Sequence, residues 1–183
     1  MRKHGSHIQN LRGRKMIQID PNKRKLAESW LDQASTHLST ARERVKSHYT
    51  IPEAVQAAQT AVELSVKVAL VFLGIDFPKA HAWDEKQLQA IADQVRNRRL
   101  VEKLCELHLN YSVPLPRLLF LMNFWGEFYL MAKYGMEAGS LATPKELFKS
   151  EEAELAVRHA DECLHAANHL RWLPEDKLRQ LIE

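Results

Sequence analysis

Ala58-Gln59-Thr60-Ala61-Val62-Glu63-Leu64-Ser65-Val66-Lys67-Val68-Ala69-Leu70, closing on Leu73-Gly74, is the stretch on which the fold turns. Alanine, valine and leucine face almost every direction around a helix drawn through it. Its polar residues Gln59, Glu63 and Lys67, with Gln56 just before them, return at three to four residue spacing on one narrow stripe. A helix apolar nearly all round has to be surrounded, because only neighbours on the other sides take that surface out of water. The pattern predicts a helix from about Pro52 to Leu73 at the centre of a bundle. Gly74 ends it, and the stripe is left as a wettable seam facing a cleft, a partner or water. Glu63 and Lys67 stand four residues apart, the spacing at which an ion pair closes on a helix face. Thr50 and Glu53 read as a capping box, with Pro52 tolerated in the first turn.

The same period continues on both sides. Asp20-Pro21 is an N-cap and first-turn pair, and Leu26, Trp30, Ala34, Leu38 and Ala41 recur behind it as far as about Ser47. Residues 84–109 are helical but polar, with Arg96-Asn97-Arg98-Arg99 marking a break or an exposed turn. After Pro114 and Pro116 a helix carries Leu118, Phe120, Leu121, Phe124, Trp125, Phe128, Tyr129 and Met131, and Gly135 ends it. Thr143 and Glu146 form a second capping box. Ser150 reads as an N-cap for a helix from Glu151 to about Trp172, its first-turn acids favoured by the helix dipole. Pro174 opens a short last helix to Leu181. No strand alternation is found. The expected fold is all-α, an up-and-down bundle of four to five helices with a short C-terminal helix.

Composition agrees with one globular domain over residues 20–183: of 183 residues, 45% are hydrophobic and 27% charged, with 6 Gly and 7 Pro. Residues 1–19 lack periodicity and read as a disordered basic arm. Eight Lys/Arg against Asp20 alone give residues 1–25 a net charge of +7, whereas the remainder holds 18 basic against 22 acidic residues, net −4. The basic balance therefore belongs to a tail, and the body has no broad footprint for duplex nucleic acid. Two cysteines, Cys105 and Cys163, are too few for a disulfide scaffold and read as small buried hydrophobes. The longest apolar run, Val68 to Leu73, is too short to cross a bilayer, and no secretory apolar segment follows the basic start. A cytoplasmic protein with no membrane contact is the expectation.

The segment from Ala58 to Gly74, followed by His81, resembles the central helix and following loop of the HEPN family, in which an alanine-rich helix carries Gln, Glu and Lys at this spacing. Trp30, Ala34, Leu38 and Ala41 are similar to that family's first helix. Phe148-Lys149-Ser150-Glu151-Glu152-Ala153-Glu154 is similar to the start of its last one, and Lys133-Tyr134-Gly135 stands where many members have an Arg-Tyr-Pro turn. The likeness spans roughly residues 24–172 and is poorest over 84–116. It implies a helical bundle, commonly a homodimer, with nucleotide or RNA binding, often beside a small nucleotidyltransferase partner in toxin and antitoxin pairs.

Several residues carry the chemistry. Catalytic members of that family cut RNA without a metal, using an Arg and a His with four to six residues between them near the start of a late helix. Arg158 and His165 meet that pattern, the guanidinium to hold a phosphate and the imidazole to move a proton. Asp161 and Glu162 between them would repel the same phosphate. For nucleotide binding the groups are Lys67, His81, Lys133 and Tyr134, cations for phosphate and a ring to stack on a base. Equally, Tyr134 and His81 can pack the bundle's ends while Lys67 pairs with Glu63. Asp161, His165 and His169 form a helical ladder that lacks a further ligand from elsewhere, so no metal is assigned. No cofactor is expected either, since no glycine-rich phosphate loop or zinc ribbon is found. The aromatic wall Phe124, Trp125, Phe128 and Tyr129 is either core or a face that a second copy covers.

Overall fold

The computed structural model describes residues 19–136 and 141–183. The basic arm expected over residues 1–19 lies outside this range except for Ile19, which packs on the core. Eight helices follow in order among the described residues: α1 (Pro21–Arg44), α2 (Ile51–Phe72), α3 (Glu85–Asn97), α4 (Leu100–Glu106), α5 (Leu115–Tyr134), α6 (Pro144–Leu147), α7 (Ser150–Arg171) and α8 (Glu175–Ile182). The four long ones, α1, α2, α5 and α7, make the bundle; the polar segment splits into α3 and α4, and α6 and α8 are short additions. The break falls inside the predicted Arg96–Arg99 run, at Arg99 with its left-handed φ of 51°.

α2 lies against α1, α5 and α7. Glu53 is its one exposed residue. With the turn before it, α2 is long and apolar enough to span a membrane by length and composition, yet 83% of that apolar window is buried in the bundle. Alanine and other small residues line the contacts: Ala27, Ala34 and Ala41 from α1, Ala54, Ala58 and Ala61 from α2, Ala153, Ala156, Ala160 and Ala167 from α7, all wholly buried.

Five local expectations are corrected. The stripe on α2 is not a wet seam: α5 and the loop 74–84 cover it, and Gln59, Glu63 and Lys67 are buried. Thr50 makes no capping box with Glu53, because its hydroxyl donates instead to the carbonyls of Arg44 (2.6 Å) and Ser47 (3.2 Å). Lys149, not Ser150, stands at the N-cap of α7, its N–H donating to the Glu152 carboxylate at 2.8 Å. On α1 the core stripe is Ala27, Leu31, Ala34, Leu38 and Ala41. Leu26 and Trp30 stand beside it, in the wall of a surface cleft shared with Phe77 and Ile182. As for the cysteines, Cys163 is buried and burial pushes its thiol far up, but Cys105 is exposed.

α2 ends in a Schellman turn. The N–H of Ile75 reaches the carbonyl of Leu70 (2.9 Å) and that of Gly74 reaches Val71 (3.0 Å), with Gly74 at a φ of 65° that side chains resist. Arg98, read from the sequence as part of a break or exposed turn, is half-buried and gathers the loose carbonyls of two helix ends. It donates to Leu73 and Gly74 after α2 and to Leu181 and Ile182 in α8, at 2.7–3.0 Å. A cation at two C-terminal helix ends is favoured by both dipoles.

Candidate functional site

The buried polar stripe of α2 is the start of the site. Glu63 and Lys67 are each 7% exposed, and Lys67 Nζ lies 2.6 Å from Glu63 Oε1. The second carboxylate oxygen, Oε2, faces His81 Nδ1 at 2.7 Å and receives a longer bond of 3.4 Å from Gln59 Nε2. Burial pushes the Glu63 carboxyl up, but hydrogen bonds from Lys67 and His81 outweigh it and hold the group below the ordinary range. Glu63 is thus an anion whose charge Lys67 balances. His81 is oriented through Nδ1, its side chain 62% exposed.

Three contacts fix where His81 stands. Its ring stacks on Tyr129 of α5, centroids 4.7 Å apart and planes within 14°. The backbone of the loop runs across Gly126, where a β-carbon would come within 2.6 Å of the His81 carbonyl. Trp83, nearly buried, anchors the loop's far end. Its N–H donates to Asn123 Oδ1 (3.0 Å) and its indole N–H to the Pro78 carbonyl (3.1 Å). A glycine and an asparagine inside an otherwise largely apolar helix, Gly126 and Asn123, are the sequence signal for this crossing, and the reading of the sequence passed over both as such.

Lys133 and Tyr134 continue the site at the end of α5. Lys133 Nζ sits 5.8 Å from the centre of the Tyr129 ring and 5.1 Å from that of Tyr134, which is 66% exposed. The structure therefore brings His81 and Lys133 together around Tyr129, which sequence reasoning had placed only in the aromatic wall. It places Lys67 beneath them, engaged with Glu63. The stacking ring and the cation are open to solvent, and the imidazole presents its free edge from a fixed mount.

Residues 27–170 match the family model described as the HEPN domain, which covers most of the chain. The chain belongs to the HEPN family. Comparison with curated proteins and with solved structures returned no match.

In this HEPN domain the other sequence-predicted pair lies on α7. Arg158 and His165 are both exposed, and seven residues put them on one face, about 10 Å apart along the axis. The acids between them are engaged: Arg42 meets Asp161 at 2.6 Å, and Arg117 grips Glu162 through Nε at 2.5 Å and Nη2 at 2.9 Å. His159 turns inward and accepts the indole N–H of Trp125 on Nδ1 at 3.1 Å. Burial and then the nearby Arg117 guanidinium lower its pKa, which suits a neutral acceptor. His165 and His169 lie with ring centres 6.5 Å apart. Among the described residues no group of three or more His, Cys, Asp or Glu is placed to hold a metal, and Asp161 of the ladder is engaged by Arg42.

Proposed function

We propose that this HEPN domain binds RNA, or a nucleotide as its smallest unit, on the face formed by His81, Tyr129, Lys133 and Tyr134. The observation that carries the reading is the imidazole held by a buried carboxylate and stacked on Tyr129, with Lys133 between that ring and the exposed Tyr134. A fixed aromatic surface beside a cation offers base stacking and phosphate attraction together, without sequence readout. The face is open, which suits a strand better than a free nucleotide, since small ligands are usually taken into concave pockets. Lys67 serves by keeping Glu63 ionised.

Fluorescence anisotropy with a labelled single-stranded RNA tests it. Tyr134→Ala is expected to weaken binding by about 1–3 kcal/mol, the worth of one stacked base, and Lys133→Glu and His81→Ala to weaken it as well. Equal affinities for wild type and all three variants would sink the reading.

A second reading rests on α7. Because Arg42 and Arg117 neutralise Asp161 and Glu162, the repulsion those acids would exert on a phosphate between Arg158 and His165 is reduced. That pair would act in metal-independent RNA cleavage, and growth arrest on overexpression that survives His165→Ala would dismiss it. We also propose that two copies associate through the outer face of α5, where Phe120 is 59% and Leu130 62% exposed and Phe120 stacks on Phe124 at 5.7 Å. A nucleotidyltransferase partner, as in toxin and antitoxin pairs, is proposed on family membership; co-purification of the two proteins tests it.

A further inference from the structure

The end of the bundle beyond Tyr134 carries a second pairing of a ring and a cation. Tyr49, in the turn between α1 and α2, is 66% exposed, and Lys145 Nζ on α6 stands 5.8 Å from its ring centre. The His48 ring lies against Tyr49 with centroids 3.7 Å apart. The two pairings are neighbours. A β-carbon on Gly135 would touch Pro144 at 3.3 Å, so the residue after Tyr134 abuts the residue before Lys145. Gln56, in the second turn of α2, donates to the Ala132 carbonyl at 2.7 Å and draws the end of α5 to the start of α2.

Both supports are tied down by hydrogen bonds. Thr50 locks the turn under Tyr49 through its bonds to Arg44 and Ser47. The Glu146 carboxylate takes the Thr143 N–H at 2.8 Å, and Lys149 Nζ reaches the Lys145 carbonyl at 3.1 Å, which fixes α6. An exposed tyrosine on a held backbone gives up little freedom when a base lands on it. Nearby acids, Glu43 in a pair with Lys46 at 2.8 Å, the exposed Glu53 and the Glu146 already described, prevent a strongly positive field. Stacking rather than bulk charge would supply the affinity, and stacking on a side chain needs unpaired bases.

We propose that Tyr49, with His48 and Lys145, is a second base-stacking platform, so that one single-stranded RNA runs from Tyr134 across the Gly135–Pro144 contact to Tyr49. This rests on the reading of the first face given above. It predicts a dependence on strand length, since a dinucleotide fills one platform and a longer strand fills both.

The test is anisotropy with labelled oligouridylates of two and ten nucleotides on the full chain. Wild type is expected to bind the ten-mer about tenfold more tightly than the dimer, the gain from one or more further stacked bases. Tyr49→Ala, and independently Lys145→Glu, should erase most of that advantage. Affinity should fall gently with salt, by about 0.7 in log K per log salt for each phosphate held. If Tyr134→Ala weakens the ten-mer while Tyr49→Ala and Lys145→Glu stay within twofold of wild type, the second platform is overturned and the first stands. If wild type binds neither oligomer, both fall together.

Discussion

Glu63 shows how much one buried carboxylate can organise. It neutralises Lys67, orients His81 and receives Gln59, in a place where an unpaired charge is expensive. Glu63→Gln leaves the Lys67 ammonium buried without its counter-charge and should cost about 3–5 kcal/mol of unfolding free energy, read as a lower denaturant midpoint. Glu63→Leu combined with Lys67→Met removes both charges and should return to within about 1 kcal/mol of wild type. The paired variants thus separate the worth of the pair from the penalty of breaking it.

His159 makes the opposite use of burial. Its folded pKa lies below the ordinary 6.5, so the unfolded chain binds the proton more readily. The stability this group contributes is complete above that value and is lost as pH falls through it toward the folded one. His159→Gln keeps an acceptor for the Trp125 indole without titrating. Its melting temperature should therefore drop less than that of wild type between about pH 7 and 5, followed by circular dichroism.

At the scale of elements, the crossing of loop 74–84 over α5 depends on Gly126. Alanine there gains about 1 kcal/mol of helix propensity but sets its β-carbon 2.6 Å from a backbone carbonyl and 2.9 Å from the Ala82 β-carbon. Overpacking against backbone costs about 1–3 kcal/mol, so Gly126→Ala should be a net loss. A red shift of Trp fluorescence, as the anchor at Trp83 loosens, would accompany it.

This crossing also marks where the chain stops being legible as a string. α2 could be placed at the centre because its apolar surface runs nearly all round, and no other position satisfies that. The Leu26–Trp30 stripe on α1 could not be told from Ala27–Leu31, because two sets one residue apart share the same period and only the neighbouring helices choose between them. The Thr50 box failed because carbonyls at the end of α1 compete for the hydroxyl. Arg98 carried no readable signal, since its partners are main-chain carbonyls that any residue supplies. Within the site, Lys67, His81, Lys133 and Tyr134 were legible from spacing and resemblance, whereas Tyr129 as the ring beneath His81 is a tertiary fact.

For the whole molecule, the outer face of α5 is the place to look for association. Phe120→Lys adds charge to an exposed position without disturbing the core, so the association proposed above predicts a shift in sedimentation velocity from dimer to monomer with the helical signal intact. An unchanged sedimentation coefficient would remove that face from consideration.

The alanines shared by α1, α2 and α7 have a last consequence. An alanine has no rotamer to change, so a seam built from them cannot make room for a larger side chain by repacking, and any growth at these positions has to part the helices themselves.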